Sequence, residues 1–207
     1  MTAQRRPLLR FALWVMALLP TCFVAWWFLG TWITAPAYLL ADLLLSLWLP
    51  GAVSGSSLDG TTMTVLSRFG EMNGSIFSTA AIGNQLGFRI DTRVLSYSLP
   101  FYAALHFATP MPASWERFAR ALLALWLLMA LGIVATALKD LMVTIGDPFL
   151  ALPWAPAPVA IALGYQLSSL IVPPLAPVLL WAYGARDVPA FRALLPPALR
   201  GGITSDA

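Results

Sequence analysis

The chain has 207 residues, of which 59% are hydrophobic and 10% charged, with nine tryptophans and a mean hydropathy of +0.79. A soluble domain carries about a quarter charged residues, so this composition excludes an ordinary water-soluble fold and makes lipid the solvent. The net charge of +3 and the pI near 9.4 come from arginines set between apolar runs. They reflect membrane orientation rather than nucleic-acid binding.

Arg5, Arg6 and Arg10 place residues 1–10 in the cytoplasm. The first span follows over 11–29, close to the ~20 residues a crossing needs. Ala35-Pro36-Ala37 loosely resembles a signal-peptidase site. The apolar run is too long and too rich in tryptophan (Trp14, Trp26, Trp27, Trp32) for a signal-peptide core, so it reads as an uncleaved anchor. Residues 36–49 are apolar but short for a crossing. Tyr38, Asp42 and Ser46 recur every four residues and give a helix there one narrow polar stripe. This predicts a separate helix lying along the outer interface.

Residues 50–93 form the one sizeable hydrophilic stretch and fall on the periplasmic side. Asp59-Gly60 and Asn73-Gly74 are turn signals. Leu86, Phe88 and Ile90 alternate with Gly87, Arg89 and Asp91, the period of a half-buried strand. Met63, Val65 and Phe69 share a second, less regular face. A small β-ribbon over the interfacial helix is expected, too small to hold a core alone. Asn73-Gly74-Ser75 matches a glycosylation sequon, which carries no meaning in a bacterial periplasm.

A second span over 94–111 is the weakest, carrying Ser96, Ser98 and His106. A cytoplasmic loop (112–118) leads to the third span (119–138), the clearest because it holds no charge beyond Arg120 at its edge. A periplasmic loop (139–155) precedes the fourth span, 156–184, where Pro173, Pro174 and Pro177 should kink or interrupt the helix. Residues 185–207 form a cytoplasmic tail. The resulting expectation is an all-α polytopic membrane protein of about four transmembrane helices, with the interfacial helix and the periplasmic β-ribbon added. It puts eight positive residues inside and four outside (Arg68, Arg89, Arg93 and Lys139), as the positive-inside rule asks.

Few residues could carry chemistry. Cys22 is the single cysteine, so no intrachain disulfide forms, and a lone thiol inside a span reads first as a small hydrophobe. His106 is the single histidine; an interhelical hydrogen bond is the plain reading and an intramembrane function the sharper one. Asp42 reads as a solvated interfacial residue or as part of a partner interface. Lys139-Asp140 reads as a boundary pair. Ala104-xxx-Ala108 and Gly132-xxx-Thr136 have the small-residue spacing of close helix packing. The sequence offers no phosphate loop, no metal-ligand set and no Ser/His/Asp arrangement, so no catalytic, cofactor-binding or metal residues are assigned.

Three stretches carry a resemblance. Leu18-Leu19-Pro20-Thr21-Cys22-Phe23-Val24-Ala25-Trp26-Trp27 leads on to Trp32 and Ala35-Pro36-Ala37. Tyr97-Ser98-Leu99-Pro100-Phe101-Tyr102-Ala103-Ala104-Leu105 enters the second span. Gly164-Tyr165-Gln166-Leu167 runs through Pro173-Pro174-Leu175-Ala176-Pro177 to Trp181. In these the chain resembles the exosortase H-associated membrane proteins. The resemblance implies a Gram-negative inner-membrane protein accompanying an exosortase, a polytopic cysteine peptidase-transpeptidase that processes proteins bearing a C-terminal sorting signal. Those enzymes combine Cys, Arg and His from different spans. Here the one arginine inside a predicted span, Arg120, stands at the cytoplasmic edge of the third, so the chain resembles the companion and not the peptidase.

Three functions stay open at this level. The first is a non-catalytic accessory protein whose partners are membrane lipid and an exosortase or its sorted substrates, with Asp42, Tyr97, Pro100, His106, Gln166, Pro173, Pro174 and Pro177 as candidate packing or interaction residues. The second is an intramembrane hydrolase using Cys22 or His106, and the third a small transporter subunit.

Overall fold

The computed structural model describes residues 5–72, 75–77, 84–186, 188 and 191. The sequon at Asn73 and most of the tail after Ala185 lie outside the described residues. Helix α1 runs unbroken over Arg5–Trp48, 44 residues, with Pro20 and Pro36 inside it. The helix expected separately over 36–49 is therefore the second half of α1. Ala37, Ala41, Leu45 and Leu49 are fully or nearly fully buried and this face packs on a β-sheet, while of the polar stripe Tyr38 and Asp42 are half-buried and Ser46 is exposed.

Strands β1 (Val53–Asp59), β2 (Thr62–Met72), β3 (Ser75–Phe77) and β4 (Gln85–Asp91) form one antiparallel sheet in which β2 pairs with all three others. The β1–β2 hairpin turns at the predicted Asp59-Gly60 signal. Asp59 pairs with Thr62, and Gly60 adopts φ +61°, as a glycine at the first position of a two-residue loop does. β4 alternates as expected, with Phe88 and Ile90 buried between exposed neighbours. β2 buries Met63, Val65 and Phe69, and also Ser67. Its hydroxyl donates to the Phe69 carbonyl at 3.1 Å and lies 3.2 Å from the Phe69 amide, at the point where the β2–β4 register shifts. That local bond lets a polar residue sit on the inner face.

After β4 the chain passes through α2 (Arg93–Ser96) and α3 (Ser98–Ala108) into α4 (Ser114–Ile145), α5 (Asp147–Leu150) and α6 (Pro158–Gln166). A π-helical turn, Leu167–Ile171, joins α6 to α7 (Val172–Ala185). Among the described residues three helical runs are long and apolar enough to cross a membrane: Leu9–Trp48, Ser114–Ile145 and Pro158–Ala185. The expected second span appears as the short pair α2 and α3. Eleven residues of α3 cover roughly 16 Å, about half the hydrocarbon thickness, and α3 is packed by α1, α4 and α7.

The prolines of the fourth span do not interrupt it. Pro173 and Pro174 cannot donate to the carbonyls four residues back, and the wider π turn lies immediately before them. There the Val172 amide reaches back to the Leu167 carbonyl, so the helix continues through the prolines as one body.

A single core joins the sheet to the helices. It contains Met63, Val65, Phe69, Phe88 and Ile90 from the sheet, Ala41 and Leu45 from α1, Ile133, Leu141 and Ile145 from α4, and Phe149 from α5. A ribbon too small to fold alone is thereby stabilised on the helix ends.

Candidate functional site

The predicted site residues fall into separate places. On α1, Asp42 is half-buried and its carboxylate accepts the Ser56 hydroxyl of β1. One turn earlier, the Tyr38 hydroxyl donates to the Ser56 carbonyl at 3.3 Å. Helical four-residue spacing puts both groups over one strand residue, so two members of the polar stripe hold the sheet. Ser46 instead donates to its own helix, at the Leu43 carbonyl, 3.0 Å away.

Where the sheet meets the bundle, the Trp26 indole donates to Ser96 Oγ at 3.1 Å, and the Arg93 guanidinium lies 4.2 Å from the Trp27 ring centre. The backbone carbonyl of Thr61, at the hairpin tip, accepts both the amide (2.9 Å) and the hydroxyl (2.7 Å) of Thr92. Tyr97 is half-buried at the α2–α3 junction, and Pro100 is buried in the first turn of α3, where a missing amide costs least.

His106 is fully buried near the far end of α3. Its Nε2 lies 2.9 Å from the Ser114 carbonyl and 3.0 Å from Ser114 Oγ, while Nδ1 lies 3.1 Å from the Tyr102 hydroxyl. A carbonyl oxygen only accepts, so Nε2 carries the proton and Nδ1 accepts from Tyr102. With its proton on the nitrogen that faces Ser114, the ring is set against taking a proton from that hydroxyl. Tyr102, Phe107 and Phe118 close around the imidazole, with ring centres 5.2–5.4 Å away. The sequence reading of His106 missed both partners: the four-residue spacing to Tyr102 on the same helix could have signalled one, while Ser114 had no signal because it depends on the chain reversing between α3 and α4. Ala113, at φ +49°, makes that reversal.

Cys22 is half-buried on α1 and is not among the hydrogen-bond partners of His106. Gln166 is exposed at the end of α6; Pro173 and Pro177 are buried and Pro174 is exposed. Among the described residues no group of three His, Cys, Asp or Glu could hold a metal ion.

A pocket of about 410 Å³ opens at the α3–α4 end of the bundle, lined by Tyr102, Arg117, Arg120, Leu180, Tyr183 and Arg186. Arg117 donates to the Gly184 carbonyl, Arg186 lies 4.5 Å from the Tyr183 ring centre, and Arg120 pairs with Glu116 at 3.6 Å. Nearby, Trp181 donates to Thr109 Oγ1 at 2.9 Å and stacks on Phe11 at 5.4 Å. The start of α1, the end of α3, the start of α4 and the end of α7 therefore share one end of the bundle, opposite the sheet.

Residues 5–188 match the family model described as exosortase H-associated membrane protein. No curated protein and no solved structure matches the chain.

Proposed function

Because the chain belongs to the exosortase H-associated membrane protein family, we propose that it is a non-catalytic inner-membrane companion of an exosortase, holding that enzyme or its sorted substrates through the exported sheet and the adjoining helices. The reading puts both termini in the cytoplasm and the sheet in the periplasm. It makes α2 and α3 a fourth crossing together with the three long helical runs. In its support, the segment starts beside Trp26 at the sheet end and finishes beside Trp181 at the arginine-rich end. Residues 93–108 give roughly 24 Å of helix, and a bilayer thins locally around a short span at modest cost.

The observation that carries the accessory role is the bond of His106 Nε2 to the Ser114 carbonyl. It leaves the imidazole as a strut between α3 and α4, with its protonated Nε2 turned to Ser114 and so not placed to take that hydroxyl's proton. The outer face of the sheet, with Leu66 and Arg89 exposed, is then the surface that meets a partner.

A clean deletion should impair processing of proteins bearing the sorting signal. Photo-crosslinkers at Leu66 and Arg89 should capture the exosortase or a sorted protein. Normal processing in the deletion strain, with no adduct from either position, would end this reading.

A further inference from the structure

We propose that the pocket between α4 and α7 is a binding site for the phosphate headgroup of an anionic phospholipid. Three guanidiniums, from Arg117, Arg120 and Arg186, line one cavity of about 410 Å³, and each is oriented by a contact of its own. The Gly184 carbonyl accepts from Arg117, Glu116 pairs with Arg120, and the Tyr183 ring lies against Arg186. A guanidinium has five donors in a fixed fork, a geometry that suits phosphate oxygens.

Position identifies the phosphate as a lipid's. Arg120 is the last charge before an uncharged run over 121–138, and Arg186 is the first after an uncharged run over 148–185. The pocket therefore sits where two apolar helical runs leave the hydrocarbon, at headgroup depth. Its wall continues into Ala121 and Leu180, apolar side chains against which acyl chains can lie. Basic pockets between transmembrane helices at this depth take acidic headgroups.

The test uses the whole chain in mild detergent, with native mass spectrometry reading lipid retained. The probes are phosphatidylglycerol and diacylglycerol with identical chains, with glycerol phosphate as a soluble competitor. Phosphatidylglycerol should be retained and diacylglycerol should not. The double variant Arg120→Gln/Arg186→Gln spares the Arg117–Gly184 bond and should weaken retention roughly thirtyfold. Equal retention of diacylglycerol, or undiminished retention by a double variant that keeps the wild-type melting temperature, would overturn the proposal. Displacement by glycerol phosphate at concentrations matching the lipid would overturn it in favour of a soluble anion. Should the double variant fail to fold, the two lipid probes and the competitor on the wild-type chain still decide. None of these outcomes depends on the exosortase, so the site stands or falls separately from the accessory role.

Discussion

The indole of Trp126, in α4, donates to the backbone carbonyl of Ile33, in α1, at 2.9 Å. Pro36 removes the helical bond to the carbonyl of Trp32, one position earlier, so α1 is weakened where Trp126 docks. Next to Pro20, the Thr21 hydroxyl donates to the Ala17 carbonyl at 3.0 Å. In lipid, backbone groups freed by proline must find partners inside the protein. α1 nonetheless runs on for 44 residues, and the Trp126 bond ties its second half to α4.

Replacing Trp126 by Phe keeps most of the packing and deletes the donor. The expected cost is about 1 kcal/mol, the usual size of an interhelical hydrogen bond in a membrane protein. Thermal unfolding in detergent measures it. An unchanged melting temperature for Trp126→Phe would show that the bond contributes nothing to holding α1 on α4.

Asp42 and Ser56 couple α1 to the first strand. Asp42→Ala should raise amide exchange across Val53–Asp59 while leaving exchange in α4 as it was. A double-mutant cycle with Ser56→Ala should return a coupling of about 1 kcal/mol. Additive effects of the two single variants would mean that the sheet is held by its apolar face alone.

How much could be read beforehand depends on whether the deciding forces are local. Alternation of Leu86, Phe88 and Ile90 gave β4, and Asp59-Gly60 gave the hairpin, because pleat and turn chemistry are set within a few residues. Continuity of α1 could not be read, since a proline such as Pro36 inside an apolar run favours a break and only the packed bundle shows that the helix runs on. Tyr38 and Asp42 were visible as a stripe, but a polar stripe facing water and one facing a strand look alike in sequence. Ser67 interrupted the apolar alternation of β2 for a similar reason: the local bond that admits it to the inner face has no sequence signature. The arginines of the pocket were legible only as topology markers, as their convergence needs the packed bundle.

Gly132 separates two kinds of small residue in the bundle. A Cβ there would meet the Leu95 methyls at 3.2 and 3.3 Å and the Ser168 Cβ at 3.5 Å, so α4 is held closely against α2 and the π turn. At Gly164 the nearest atom would be the Ala135 Cβ at 3.9 Å, ordinary contact. Gly132→Val should therefore destabilise by about 1–3 kcal/mol through overpacking. Gly164→Ala should be neutral or slightly stabilising, because helical glycine is less favourable than alanine by about 1 kcal/mol. Equal effects at the two positions in a detergent melt would refute the close approach at Gly132.

The roles of His106 and Cys22 can be split by separate substitutions. His106→Ala removes both the Tyr102 and the Ser114 contacts and leaves the Ser114 hydroxyl and carbonyl facing a void, so it should destabilise by about 2 kcal/mol or more. Gln at 106, able to donate to the Ser114 carbonyl, should recover part of that loss. Cys22→Ala should leave both stability and substrate processing close to wild type, since a half-buried thiol with no partner base acts as a small hydrophobe. The decisive comparison is processing at equal protein levels. A strut at 106 predicts that the folded Gln variant still supports processing, whereas proton transfer by the imidazole predicts loss of processing even when that variant folds fully. Loss of processing in Cys22→Ala at normal abundance would instead return the thiol to consideration as a nucleophile.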